Sequence, residues 1–295
     1  MRISNIEALK MNKYIKVEND IKLWVETYGD KSNDAVLFIS GAGANSSFWS
    51  ERLCNELVDK DFYVVKYDHR DFGYSSKIDY EKNPFDVMQL TKDAITIMDS
   101  LAIEKAHVVG HSMGGFIAQL LAIHYPDRVI SMVSASSSTN AESVPPPPPK
   151  TWEIFMENNP ANNFENDLEE FLKVWKYLNG TADFDKELAI EYTRNLYKRQ
   201  EIIGAIGASH VKAQSNLKDR SEQLKKLQVP ALIIHGEEDY LVDKFGGFQT
   251  AKCLSNSKLV LIPKMGHVLF NHTLKQKFES EIASFLLNNN KSSNY

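Results

Sequence analysis

The stretch Val108–Gly115 reads Val-Val-Gly-His-Ser-Met-Gly-Gly and lies between an apolar run, Ala106–Val109, and a segment of helical spacing, Phe116–His124. It contains the pattern Gly-x-Ser-x-Gly between a strand and a helix, a context in which the serine occupies a sharp turn. The flanking glycines keep the space beside that turn clear. We therefore predict that the Ser112 hydroxyl stands above a sheet at a helix N-terminus, where backbone N–H groups favour negative charge. The alternative is a Gly/Ser-rich turn with no chemical role.

The composition is typical of a soluble globular protein. The 295 residues, of which 43% are hydrophobic and 25% charged, suffice for one large α/β domain with an insertion. A net charge of -5 argues against a nucleic-acid partner. No apolar run approaches the roughly 18 residues of a membrane span, and the N-terminus lacks the apolar core of a secretory signal. Cys54 and Cys253 are too few for a disulfide framework or a zinc site. We expect a cytoplasmic protein without a membrane partner.

Short apolar runs alternate with helical spacing along the first half of the chain. The predicted strands are Tyr14–Val17, Ile21–Thr27, Ala35–Ile39, Phe62–Tyr67, Ala106–Val109 and Val129–Ser134. The predicted helices are Ser46–Lys60, Phe85–Leu101 and Phe116–His124. Strands resume at Ala231–His235 and Leu259–Ile262, before a last helix at Leu274–Leu287. This alternation predicts an α/β fold with a mostly parallel sheet flanked by helices and an antiparallel hairpin at one edge.

The strand pattern stops in the middle of the chain. Five consecutive prolines, Pro145–Pro149, predict a stiff extended spacer, with a site for a proline-recognising module as the less favoured interpretation. Thr151–Lys226 then shows helical spacing, most clearly at Phe164–Leu178 and Asp185–Arg199. The predicted division is into a core of residues 1–138 and 227–295 and an inserted helical cap of residues 139–226.

A serine nucleophile needs a base that takes its proton, and eight histidines compete for that role. His267 is favoured because it directly follows the strand Leu259–Ile262, and Gly266 lets its loop approach closely. Open α/β sheets collect their sites on such loops, at the carboxyl ends of the strands. The alternative is that His267 is a structural histidine. The others are interpreted as loop-packing residues, His69 and His235, or as strand, turn, helix or surface residues, His107, His111, His124, His210 and His272.

The acid that orients the base is expected just after the strand Ala231–His235. Three carboxylates follow that strand, and spacing favours Asp239 over the alternatives Glu237 and Glu238. The chain order Ser112, Asp239, His267 is that of the α/β-hydrolases and differs from the orders in chymotrypsin and subtilisin.

An oxyanion hole needs two N–H donors. One is expected from Met113, the residue after the serine, and the other from the glycine-rich segment Ser40–Gly43, with Ala42 as the favoured residue. The alternative for Ser40–Gly43 is an ordinary glycine turn between a strand and a helix.

These residues resemble the α/β-hydrolase superfamily over most of the chain outside the predicted cap. The likeness rests on Gly110–Gly115, Gly236 with Asp239, Gly266-His267, and Asp68–Ser75, which resembles the family's D-x-R-G-x-G-x-S loop. With Asp71 in place of the usual glycine, that loop is similar to the one in the aclacinomycin methylesterase-like branch. The chain departs from the family at Ser40-Gly41, where His-Gly is frequent. The resemblance implies a Ser-His-Asp hydrolase with a helical cap, no cofactor and no bound metal.

The expected activity is hydrolysis of small-molecule carboxylic esters through an acyl-enzyme, by a monomer or homodimer. Thioester hydrolysis, perhydrolysis and C–C bond hydrolysis use the same triad and stay open, whereas dehalogenases and epoxide hydrolases carry an aspartate at the position of Ser112. The alternative from another class is a ligand-sensing or regulatory protein with slow turnover. Trp152, Phe155 and Trp175 are predicted to contact the substrate, although aromatic residues at helical spacing more often pack against one another.

Overall fold

A twisted eight-stranded sheet forms the centre of the computed structural model, which describes residues 10–157, 160, 163–199 and 207–290. The strands are β1 (Met11–Lys16), β2 (Lys22–Tyr28), β3 (Asp34–Ile39), β4 (Phe62–Tyr67), β5 (Ala106–His111), β6 (Val129–Ala135), β7 (Ala231–Gly236) and β8 (Ser257–Ile262). Their order across the sheet is β1-β2-β4-β3-β5-β6-β7-β8. β1 and β2 form an antiparallel hairpin, β2 pairs with β4 antiparallel, and β3 to β8 are mutually parallel.

Helices cover both faces of this sheet. In chain order the helices of the described residues are α1 (Glu51–Val58), α2 (Val87–Ser100), α3 (Met113–His124), α4 (Pro149–Glu157), α5 (Phe164–Leu178), α6 (Lys186–Arg199), α7 (Ala208–Ala213), α8 (Ser221–Leu224), α9 (Phe245–Cys253) and α10 (His272–Asn288). Those that cover the sheet include α1, α2, α3 and α10. Leu37 of β3 packs with α2 and α3 on one face, while its neighbours Val36 and Phe38 pack with α1 and α10 on the other. Because alternate side chains of one strand enter two cores, such strands have continuous apolar sequences.

The predicted α/β fold, with its mostly parallel sheet and edge hairpin, is confirmed. The helix predicted from Ser46 differs in detail, because a 3-10 turn at Ser46–Phe48 precedes α1. Trp49 ends that turn, and Ser50 is the N-cap of α1, since its hydroxyl accepts a hydrogen bond from the Leu53 N–H at 3.1 Å. The last strand is also longer than predicted and begins at Ser257.

Helix α9 was not predicted, because Gly246 and Gly247 interrupt its apolar pattern. A Cβ at Gly246 would lie 2.6 Å from the Ser138 Cβ, and one at Gly247 would lie 2.8 Å from His235 Nδ1. The two glycines therefore allow α9 to approach the ends of β6 and β7 closely, at the expense of helix propensity.

The described residues between β6 and β7 contain α4 to α8. The apolar side chains of α5 and α6 form a third core together with Phe72, Val268 and Phe270 from the loops around the sheet. Gly180, just after α5, forms an isolated antiparallel bridge with Met265. The inserted helices thus rest on the loop that carries His267, while their bounds as a separate cap, residues 139–226, stay a prediction.

No helix in the described ranges combines the length and the apolar character needed to cross a bilayer.

Candidate active site

Ser112 occupies a strained turn between β5 and α3, with φ 55° and ψ -121°. A positive φ is unfavourable for a residue with a side chain and concentrates at functional sites. A Cβ at Gly110 would lie 2.0 Å from the Gly114 carbonyl oxygen, and one at Gly114 would lie 2.1 Å from the Ile39 oxygen. The Ser112 N–H donates to the Ala135 carbonyl at 2.8 Å. The two motif glycines are thus required by close backbone contacts, and the turn is held to β6.

His267 and Asp239 meet beside this turn. The His267 Nδ1–H donates to Asp239 Oδ2 at 2.8 Å, and the two residues are 4% and 6% exposed. The other carboxylate oxygen, Oδ1, accepts the N–H groups of Leu241 and Val242 at 2.9 and 2.8 Å. Burial raises the pKa of Asp239, but the charge of His267 and the hydrogen bonds from His235 and His267 outweigh it, so this pKa lies well below its usual value. Asp239 is therefore an ionised, fixed acceptor for the imidazole.

The loop that carries His267 is held from two sides. The His111 Nε2–H donates to the His267 carbonyl at 2.9 Å, which ties the loop to the Ser112 turn. From the inserted helices, the Leu178 carbonyl accepts the His267 N–H at 2.7 Å, and the Asn179 carbonyl accepts the Gly266 N–H at 3.0 Å. A Cβ at Gly266 would lie 2.1 Å from the Leu178 oxygen, so the close approach expected from this glycine is confirmed.

The glycine-rich loop Ser40–Gly43 lies against the serine. A Cβ at Gly41 would be 3.1 Å from the Ser112 Cβ. The Gly43 N–H donates to Nδ1 of His210 at 3.3 Å. None of the hydrogen bonds recorded among the described residues uses the N–H of Ala42. Within the described part of the chain this N–H thus has no acceptor, one residue from the contact with Ser112.

Met113 supplies a second N–H of this kind. It follows Ser112 as the first residue of α3. The N–H groups of a first helical turn have no acceptor within the helix. Of the two residues predicted to form the oxyanion hole, Ala42 follows the glycine that contacts Ser112, and Met113 follows Ser112 itself. Their role as oxyanion donors stays a prediction.

Residues 34–271 match the family model described as the alpha/beta hydrolase fold. The chain belongs to the α/β-hydrolase family. This hydrolase is 25% identical over 276 residues to rhodomycin D methylesterase of Streptomyces peucetius, a match that covers 85% of this chain and 90% of that protein. It is 27% identical over 270 residues to a putative carbamate hydrolase of a Caulobacter species, with 90% and 95% covered.

Among solved structures, the hydrolase is similar to a meta-cleavage product hydrolase from Pseudomonas fluorescens. The TM-score is 0.73 at 22% identity, and the match covers 94% of this chain and 98% of that one. This likeness confirms the fold. The two methylesterases among the sequence relatives, from Streptomyces peucetius and from a second Streptomyces, confirm the resemblance to the aclacinomycin methylesterase-like branch.

The aromatic residues expected to contact substrate lie in different surroundings. Trp175 of the hydrolase is 9% exposed, stacks on Phe171 with ring centroids 5.8 Å apart, and donates its indole N–H to Thr193 Oγ1 at 2.9 Å. Phe155 packs partly buried against the same core, whereas Trp152 is 50% exposed. These contacts favour the packing interpretation for Trp175, and substrate contact stays a prediction for all three.

A buried group of charges joins the inserted helices to the sheet of the hydrolase. Arg199, the last residue of α6, lies 2.7 Å from Glu26 and 3.6 Å from Asp68. Lys66, buried in β4, lies 3.5 Å from the same Glu26. Burial raises the pKa of Glu26, but the charges of Lys66 and Arg199 outweigh it and lower this pKa to about 2. Within the described ranges, no three His, Cys, Asp or Glu side chains converge as a metal site.

Two further histidines contact the site of the hydrolase and were not assigned to it from the sequence. His235 Nε2 lies 3.4 Å from Asp239 Oδ2 and donates to the Val242 carbonyl at 2.9 Å. His210, expected in a helical or surface context, lies in α7 but is fully buried against Gly43. His210 lies 167 positions after Gly43 in the chain, so no local sequence pattern indicates their contact.

Proposed function

We propose that this α/β-hydrolase cleaves carboxylic esters of small molecules through an acyl-enzyme formed on Ser112. The observation that carries the proposal is the buried hydrogen bond from His267 to Asp239, 2.8 Å long, beside a serine on a strained turn. A strained backbone and a buried charged group both lower the stability of the fold, and features of this kind concentrate at functional sites.

The roles follow from the hydrogen-bond donors and acceptors. Since the Asp239 carboxylate can only accept, His267 carries its proton on Nδ1, which leaves Nε2 unprotonated and able to take the proton of the Ser112 hydroxyl. The serine oxygen then attacks the ester carbonyl, and the N–H groups of Met113 and Ala42 bind the resulting oxyanion. The protonated His267 gives its proton to the leaving alcohol as the C–O bond breaks, and water clears the acyl group by the same steps.

Support for an ester substrate comes from the relatives, whose names include a methylesterase, a putative carbamate hydrolase and a 2-hydroxy-6-oxononadienedioate hydrolase. All three reactions begin at a carbonyl carbon. An ester has the best leaving group of the three and needs no residue beyond the proposed triad. The likeness to a meta-cleavage product hydrolase makes a C–C substrate the necessary comparison in any assay.

The test is multiple-turnover hydrolysis of nitrophenyl esters of varied chain length, bulky methyl esters and a meta-cleavage product, by wild type and Ser112→Ala. Removal of the nucleophile is expected to lower kcat on the order of 10⁴–10⁶-fold. Ser131→Ala, a buried serine at the other end of β6, is the control and is expected to retain wild-type kcat. More than a tenth of the activity left in Ser112→Ala would assign the nucleophile elsewhere, and ester binding without turnover in wild type would favour the ligand-sensing alternative.

A further inference from the structure

Helix α7 of the insertion lies directly on the Ser40–Gly43 loop. A Cβ at Gly207, which precedes the helix and has φ 71°, would lie 2.6 Å from the Gly43 nitrogen. His210 follows three residues later and is fully buried. Its Nδ1 lies 3.3 Å from the Gly43 nitrogen, and its Nε2 lies 2.9 Å from the Arg70 carbonyl oxygen. One imidazole therefore joins the loop to the segment that follows β4.

The two partners define which ring nitrogen of His210 carries the proton. The Arg70 carbonyl can only accept, so Nε2 is protonated and donates to it. Nδ1 is then unprotonated and accepts the N–H of Gly43. The rings of Phe72 and Phe85 lie 5.7 and 6.1 Å away. Burial lowers the pKa of His210, against an opposing effect of its hydrogen bond to Arg70, and this keeps the ring neutral.

A second histidine holds the other end of the same loop. His69 is buried and its Nε2–H donates to the Ser40 carbonyl at 2.9 Å. The peptide unit that joins Ser40 to Gly41 is thus held by its oxygen, and the unit that joins Ala42 to Gly43 is held by its N–H. The unit between them carries the Ala42 N–H; its own oxygen, that of Gly41, accepts the Ala44 N–H at 3.3 Å, and it has a held neighbour on each side.

We infer that His210 is a positioning residue for the oxyanion hole: it accepts the Gly43 N–H and thereby fixes the direction of the Ala42 N–H, an inference that rests on the proposed function. An oxyanion donor acts only when it is aimed at the site where charge develops. Loss of the Nδ1 acceptor frees the Ala42–Gly43 peptide to rotate within the Gly41–Ala44 turn. The Ala42 N–H, whose peptide the 3.3 Å bond from Ala44 holds at the oxygen, then loses its support on the Gly43 side. The inserted helices thus supply a group that supports the chemistry as well as apolar packing.

The test compares three variants of His210. His210→Phe keeps a ring among its aromatic neighbours but has no acceptor, His210→Asn keeps an acceptor at the position of Nδ1, and His210→Gln keeps a donor toward Arg70. We expect kcat to fall about 10–100-fold in His210→Phe and His210→Gln at nearly unchanged KM, and to return to within a few-fold of wild type in His210→Asn. Affinity for a trifluoromethyl ketone, whose adduct places an oxyanion in the hole, should fall in parallel.

Two controls distinguish a loss of loop positioning from a loss of stability and from a failure of the proposed function. His107 lies at the start of β5, is equally buried, and is hydrogen-bonded to Ser131 of β6. His107→Phe should lower Tm with kcat unchanged. Hydrogen exchange of the Gly43 amide should quicken in His210→Phe and recover in His210→Asn, whatever the substrate. Wild-type kcat in His210→Phe, equal losses in the Asn and Gln variants, or unchanged exchange at Gly43 would overturn the inference. Absence of ester turnover in wild type would overturn the proposed function instead, and the exchange rates would still report whether His210 holds the loop.

Discussion

The loops at the carboxyl ends of the strands and the inserted helices are built on different physical constraints. In the loops, backbone approaches backbone: a Cβ at Gly110, Gly114 or Gly236 would lie 2.0 to 2.2 Å from a carbonyl oxygen. In the insertion, large side chains pack together, with Trp175 between Phe171 and neighbouring rings. A residue that must be glycine is constrained to one identity, whereas a packed aromatic tolerates several replacements. Substitutions should therefore affect chemistry most in the loops and, with His210 as the exception, stability most in the insertion.

Asp239→Asn tests the sensitivity of the chemistry to a change in the loops, and it has the largest expected effect. The amide keeps the shape of the carboxylate but lacks its charge and favours the wrong tautomer of His267, so we expect kcat/KM to fall on the order of 10⁴-fold. Glu237→Gln and Glu238→Gln, which alter partly exposed neighbours, should stay near wild type in the same ester assay. Loss of activity in either Glu variant with little change in Asp239→Asn would reassign the acid.

Trp175→Ala tests whether packing in the insertion determines stability and leaves the chemistry unchanged. Removal of a buried indole from the core of α5 and α6 is expected to lower the free energy of unfolding by about 3–5 kcal/mol, measured by urea titration. The folded variant should rank the ester panel as wild type does, because Trp175 packs against other protein side chains. An altered ranking at nearly unchanged stability would mean that the indole forms a wall of the substrate pocket.

The pH dependence of stability tests the contact between the insertion and the sheet. Glu26 of β2 forms an ion pair there with Arg199 of α6. Its pKa of about 2 lies below the usual 4.5 because the charges of Lys66 and Arg199 outweigh burial. This contribution is fully present above about pH 4.5 and is lost as pH falls toward 2, where protonation of the folded state becomes possible; it amounts to on the order of 3 kcal/mol. Urea titrations at pH 5 and pH 3 should show a smaller fall in Glu26→Gln than in wild type. An exposed control, Glu153→Gln, should fall as wild type does, and parallel curves for all three would contradict the expectation.

Trp152→Ala is expected to have the smallest effect. Since half of the side chain is exposed, its loss should change the free energy of unfolding by less than about 1 kcal/mol. If the other half faces substrate, the ranking of esters shifts on the order of 1 kcal/mol between the best and worst fits. Met156→Ala, one turn along α4 and more exposed, is the control. Equal ester rankings in wild type and both variants would remove Trp152 from the predicted substrate contacts.

The sequence predicts the sheet well because a strand buried on both faces is apolar throughout, as in Ala35–Ile39, and few other elements are. It also predicts the meeting of His267 with Asp239, since both follow strands whose carboxyl ends share one edge. It does not predict that His210 contacts Gly43 or that Arg199 contacts Glu26, because those pairs are far apart in the chain. Helix α9 is missed for a related reason. Its two glycines are required by a close contact with the ends of β6 and β7, and the local sequence pattern gives no sign of that contact.

The bridge between Gly180 and Met265 limits how the inserted helices move. At that corner three backbone N–H groups, those of Gly266, His267 and Val268, donate to carbonyls at the end of α5. A rigid-body swing of the whole insertion would break these bonds and release the loop that carries His267. We therefore expect this corner to stay fixed, and any opening of the inserted helices to occur by displacement on the side remote from it.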